Sequence, residues 1–92
     1  MAETSTGKPY EVIDSASNWE VRLFKNEDPS ELFWHRDKED RIVKLIYGDV
    51  KVQKDNELPV AMNHNDSIII RKETFHRVIS EGPFILKIYK GD

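Results

Sequence analysis

The apolar residues of this chain recur with a period of two, not with the helical period. Trp19-Glu20-Val21-Arg22-Leu23 alternates cleanly, which puts Trp19, Val21 and Leu23 on one face of a strand. Arg41–Tyr47 is a stronger strand, with Val43, Leu45 and Tyr47 on one face and Ile42 and Ile46 opposite. Large apolar groups on both faces predict a central strand covered on both sides. Tyr10–Ile13, Val50–Gln53, Leu58–Met62, Ile68–Ile70, Phe75–Ile79 and Phe84–Tyr89 are further strand runs. Glu31–Arg36 is also extended, and period two puts Phe33, His35 and Asp37 on one face and Leu32, Trp34 and Arg36 on the other.

Turn-forming clusters separate these runs, among them Asn26-Glu27-Asp28-Pro29-Ser30 and Asn63-His64-Asn65-Asp66. Gly48-Asp49 reads as a hairpin turn between Arg41–Tyr47 and Val50–Gln53. Lys87 and Lys90 are spaced to guard a sheet edge in the last strand. The one helix candidate is a short turn capped by Ser30. Many short strands at regular spacing predict an all-β barrel or sandwich.

The 92 residues suffice for one domain and not for two. We expect a flexible tail over residues 1–8 and a β-barrel domain over 9–92. A chain this small buries only about 60–65% of its unfolded surface. It has no cysteine, so neither a disulfide nor a thiolate metal site reinforces the core. That composition is compatible with a reducing compartment, and the cytoplasm is the expected location. No apolar run approaches the roughly 20 residues of a membrane span, and Met1–Lys8 lacks the pattern of a signal peptide. The net charge is −3, with cations and anions interleaved, so neither a membrane nor a nucleic acid is an expected partner.

Chemistry concentrates at two places. One is Trp34-His35-Arg36-Asp37, and the other is Thr74-Phe75-His76-Arg77 after Ile68-Ile69-Ile70. Two strand-borne histidines and a carboxylate converge only if their strands wrap a common interior.

The stretch from Trp34 to Gly48 resembles the first motif of the cupin superfamily, small β-barrels of jelly-roll type. His35 stands at the first histidine of that motif, Asp37 at the second, Arg41 at the glutamate, and Gly48-Asp49 at the closing turn. Asn65-Asp66, Ile68–Ile70, Arg71-Lys72-Glu73 and His76 resemble the second motif, with Arg71 and Glu73 in place of its proline and glycine. The resemblance covers residues 19 to 90 and is nearest to very short single-domain cupins, some of them phage-encoded. It implies an all-β, cupin-like jelly-roll barrel with a site at its mouth.

Three functions follow. In the first, His35, Asp37 and His76 form a two-histidine, one-carboxylate site for a divalent metal such as Fe, Mn, Ni or Zn. Arg41 then clamps a substrate carboxylate or phosphate. The plainer alternative is that Asp37 pairs with Arg41 and the histidines are hydrogen-bonded or exposed. In the second, a metal-free pocket binds a small polar or anionic molecule, with Arg41, Tyr47 and Trp34 as contacts and Phe33, Val43 and Leu45 as wall. In the third, the chain is a structural or regulatory homodimer with a vestigial site. Burying Leu32, Trp34, Ile42 and Ile46 against a second copy is its physical motive. Whether the site is catalytic is left open.

Overall fold

A computed structural model describes residues 10–25 and 34–91. The expected tail, the loop over 26–30 with its Ser30 cap, and Leu32 and Phe33 lie outside the described residues. The described residues form eight strands: β1 (Tyr10–Ser15), β2 (Trp19–Phe24), β3 (Arg41–Tyr47), β4 (Lys51–Lys54), β5 (Val60–Ala61), β6 (Ser67–Ile70), β7 (His76–Ile79) and β8 (Phe84–Lys90). They make two antiparallel sheets, one ordered β1-β2-β8-β3-β6 and the other β5-β4-β7. Among the described residues no helix is long and apolar enough to cross a membrane.

One core joins the sheets. β8 contributes Phe84, Leu86 and Ile88, β3 contributes Val43 and Leu45, and the smaller sheet contributes Val52 and Val78. The expected all-β jelly-roll barrel is what the chain forms. The strand limits agree with the alternation to within about two residues, and the faces agree less well.

In β2 the inward row is not Trp19, Val21 and Leu23 but Glu20, Arg22 and Phe24, of which Arg22 and Phe24 are fully buried. The cause is register. Phe24 pairs with Phe84, Arg22 with Leu86 and Glu20 with Ile88, and opposed residues in an antiparallel pair share a face. Phe24 and Phe84 stack with ring centroids 4.6 Å apart. Trp19, which the alternation groups with Val21 and Leu23, therefore stands on the outer face, beneath the Lys87 ammonium at 4.3 Å.

Three other expectations change. Gly48-Asp49 does not close a hairpin, because β3 pairs with β8 and β6 while β4 pairs with β5 and β7. The turn instead carries the chain from one sheet to the other. β8 lies between β2 and β3, so Lys87 and Lys90 guard no edge. β3 is central in its sheet, but its outer face is open: Ile42 and Ile46 are 41% and 43% exposed.

Gly48 permits the crossover through its conformation and its lack of a side chain. Its φ is +100°, and a Cβ there would lie 2.8 Å from both the Phe84 Cβ and the Pro83 carbonyl oxygen. Those neighbours are backbone and core, which yield little. Gly48→Ala should lower unfolding free energy by at least about 1–3 kcal/mol, the usual scale of such backbone strain, in a urea titration followed by circular dichroism.

Candidate metal centre

The site begins with one backbone bridge. His35 N–H donates to the His76 carbonyl and His76 N–H donates to the His35 carbonyl, both at 2.9 Å. The two histidines are thus directly opposed and point to the same side. Their rings lie 4.4 Å apart, tilted by 58°. Alternation sends Asp37 inward with His35, while Trp34 and Arg36 turn outward beside Arg77 and Phe75.

The turn before β7 is tied to the same segment. Glu73 N–H donates to the Asp37 carbonyl at 2.7 Å, and Lys72 N–H donates to Asp40 Oδ1 at 2.8 Å. Glu73 holds φ +61°, a left-handed conformation that suits the glycine of the resembled motif. The geometry of that turn persists although its glycine does not.

His76 is buried, and its Nδ1 lies 2.8 Å from the Thr74 carbonyl oxygen. A carbonyl only accepts, so Nδ1 carries a proton, and Nε2 either presents a lone pair or carries a second proton. Nε2 faces Asp37 Oδ2 at 3.3 Å. Asp37 Oδ2 is buried and receives no hydrogen bond. With Nε2 unprotonated, two electron-rich atoms would face each other in a low-dielectric interior and repel, so a cation belongs between them. The cation is either a second imidazole proton or a metal ion.

The donor set fits a metal. One ligand atom each from His35, Asp37 and His76 lies within 4.8 Å of the others. Nitrogen and oxygen ligands at about 2.0–2.2 Å from an ion stand about 3–4 Å apart, so small rotamer shifts seat all three. The Thr74 carbonyl supplies the outer hydrogen bond that fixes the tautomer of a metal-ligating histidine.

Arg41 is held on both sides. Its Nη1 lies 3.2 Å from Asp37 Oδ1, and its Nε and Nη2 donate to Glu39 Oε1 at 3.1 and 2.9 Å. The Asp37–Arg41 pair of the plainer alternative therefore exists. It occupies Oδ1 and leaves Oδ2 to the histidine side. Burial pushes the Asp37 carboxyl up, but with no metal present a protonated His76 beside it, then the charges of Arg41 and His35, outweigh burial and hold it below the ordinary value. Glu39, committed to Arg41, and Asp40, committed to Lys72, do not join the trio.

The structure brings His35, Asp37, His76 and Arg41 to one cavity and does not bring Tyr47 or Trp34 to it. A register shift between Leu45 and Tyr47 breaks the alternation, and Tyr47 is 57% exposed. Trp34 lies on the outer side with the Arg77 guanidinium 5.2 Å from its ring. Val43 lines the cavity as expected, while Phe33 lies outside the described residues.

Arg22, which the alternation did not single out, lines the same cavity at 3% exposure. Its Nε donates to Glu20 Oε1 at 2.8 Å, and its guanidinium lies 4.2 Å from the Tyr10 ring centroid. Glu20 Oε2 also meets Lys90 Nζ at 3.5 Å. The only local hint of this inward row is Phe24, which extends it past the end of the alternating run.

The Arg22 hydrogen bond holds the Glu20 carboxyl below its ordinary value of 4.5, against burial and with help from the charges of Arg22 and Lys90. A carboxyl depressed in the fold contributes stability above its unfolded pKa and loses it as pH falls through the folded one. Melting temperature should therefore fall as pH drops below about 4.5. Glu20→Gln should cost about 1–3 kcal/mol near neutrality and flatten that acid slope in thermal melts across pH. An unchanged slope would remove Glu20 from the account.

No protein-family model matches the chain, and no curated protein sequence does. Solved structures do match. A cupin-2 domain protein from Shewanella frigidimarina superposes with a TM-score of 0.68 at 17% identity, over 96% of this chain and 85% of that one. A cupin superfamily protein from Desulfitobacterium hafniense gives 0.67 at 15% identity, over 99% and 84%. The iron(II) form of the enzyme HppE gives 0.65 at 9% identity, over 79% of this chain and 41% of that one. At such identities the likeness is one of fold: the chain carries the jelly-roll fold of the cupin superfamily.

Proposed function

We propose that this chain binds one divalent metal ion through His35, Asp37 and His76 and takes a small polar or anionic molecule at the same site. The observation that carries this reading is the buried Asp37 Oδ2, without a hydrogen bond, gathered with ligand atoms of His35 and His76 within 4.8 Å. Two imidazoles and one carboxylate suit Fe, Mn, Ni or Zn and leave coordination positions open. HppE, of the same fold, has been solved with iron(II) and with cobalt(II). When bound, such an ion would polarise an oxygen ligand as a Lewis acid. Arg41 orients Asp37 through Oδ1, and Glu39 offsets the charge of Arg41 beside the cation.

Purified protein loaded in turn with Fe(II), Mn(II), Ni(II) and Zn(II) should retain about one equivalent of at least one metal by elemental analysis. His76→Ala or Asp37→Asn should weaken binding by at least about 100-fold, and Arg41→Met, which removes a supporting group, by about 10- to 100-fold. Failure of every metal to reach stoichiometry refutes the reading. The proton then takes the place of the metal as an imidazolium–carboxylate pair.

The outer face of the larger sheet favours a second role, as a homodimer module. Trp19, Tyr89, Ile42 and Ile69 stand in one cross-strand row over four strands. Ile42 and Ile69 are exposed. Lys44 and Lys87 form the next row, so the face mixes apolar contact with charge. A second copy packed here buries the isoleucines. Sedimentation at low micromolar concentration should then show a dimer that Ile42→Glu converts to monomer, and a wild-type monomer would exclude this packing.

A further inference from the structure

The turn that leads into His76 does not hold itself. Arg71–Thr74 closes on a hydrogen bond from the Thr74 N–H to the Arg71 carbonyl at 3.2 Å. Glu73, its third residue, holds φ +61°. A turn of this kind asks for glycine there, because a side chain in the left-handed region crowds its own backbone. A non-glycine residue keeps that conformation only where its surroundings enforce it.

The segment that carries the other two ligands supplies the enforcement. Glu73 N–H donates to the Asp37 carbonyl at 2.7 Å, and Lys72 N–H donates to Asp40 Oδ1 at 2.8 Å. The first bond is backbone to backbone. The second depends on one carboxylate, and an ionised acceptor makes the stronger bond. Asp40 can brace the turn because it is anchored in turn. Its carbonyl accepts from the Gly91 N–H at 2.8 Å, and its neighbour Arg41 opens β3 opposite Lys90 of β8. The Arg71 guanidinium, exposed and 4.0 Å from Asp40 Oδ2, adds little. The far end of the turn reaches the site. Thr74 presents its carbonyl oxygen to His76 Nδ1 at 2.8 Å, the contact that orients the ring. A turn that relaxed would carry that carbonyl away and leave the ring free to rotate.

We infer that Asp40 is a positioning residue of the metal centre: by bracing Arg71–Thr74 it keeps the Thr74 carbonyl on Nδ1 and aims Nε2 at the ion. The inference rests on the metal reading of His35, Asp37 and His76. Asp40 is not itself a ligand, and its effect passes through the turn.

Two readouts test it: cobalt(II) binding followed by visible absorption, and the His76 Nδ1–H signal of the metal-free protein in nitrogen-15 NMR. Asp40→Ala should weaken cobalt binding about tenfold, the lower end for loss of a group that supports a ligand, and speed exchange of Nδ1–H with water. Asp40→Asn keeps an acceptor oxygen and should stay within about threefold of wild type, with slow exchange retained. Asp40→Ala/Glu73→Gly should recover the lost affinity to within about threefold of Glu73→Gly, because glycine adopts this conformation unaided. That rescue separates bracing of the turn from a general loss of stability. If Asp40→Ala alone does not fold, the comparison in the Glu73→Gly background decides. Wild-type cobalt affinity in Asp40→Ala overturns the inference. Equal losses in Asp40→Asn and Asp40→Ala, which would mark a long-range charge effect, overturn it too, as does a loss that persists beside Glu73→Gly. In each of those cases wild type still binds cobalt and the metal reading stands. If wild type binds no cobalt, the metal reading fails and this inference fails with it.

Discussion

The register of β8 within the larger sheet governs the rest of the molecule. β8 is flanked by β2 and β3, and its row of Phe84, Leu86 and Ile88 faces the core. Antiparallel pairing then fixes which side chains of both neighbours turn inward. On β3 these include Val43 and Leu45, and Arg41 lines the cavity. On β2 they are Phe24, Arg22 and Glu20. A one-residue slip would trade the buried arginine for Val21 and Leu23 and take Arg22 out of the cavity lining. Burying Phe84, Leu86 and Ile88 contributes roughly 1.5–3 kcal/mol for each side chain, which is far more than a slipped pairing would recover.

That constraint explains why the interior is polar at one end and apolar at the other. Arg22 and Arg41 enter a low-dielectric region because their strands leave no choice, and each meets a carboxylate two positions away on its own chain segment. Glu20 serves Arg22 and Glu39 serves Arg41. Local pairing of this kind lets a small core tolerate buried charge, since an unpaired guanidinium would cost several kcal/mol. Asp37 then lies between two demands. Its Oδ1 belongs to Arg41, and its Oδ2 faces a histidine whose tautomer is set by the Thr74 carbonyl. Arg41, which stands at the glutamate of the resembled motif, here holds Asp37 through Oδ1.

Much of this was legible in the chain itself. The period of two marked nearly every strand, and the spacing of His35, Asp37 and His76 marked the place where a site forms. The resemblance to cupins rested on those same residues, and the solved structures of that fold agree with it. Faces were less legible. Trp19-Glu20-Val21-Arg22-Leu23 carries its larger apolar groups on the side that the fold turns outward, because alternation identifies two faces without saying which is buried. Tyr47 illustrates a second limit: it continues the alternation of Val43 and Leu45, but a bulge re-aims it into solvent.

The sequence by itself determined most of the secondary structure and the presence of two histidines and an aspartate able to share one face. These depend on local periodicity and turn chemistry. Only the tertiary structure decided that β3 and β4 part into different sheets, that Arg22 lies inside while Tyr47 and Trp34 lie outside, and that Arg41 is engaged by Asp37 and Glu39. Those outcomes depend on which strand lies beside which and in what register, and that is a competition among long-range pairings that no short window of sequence contains.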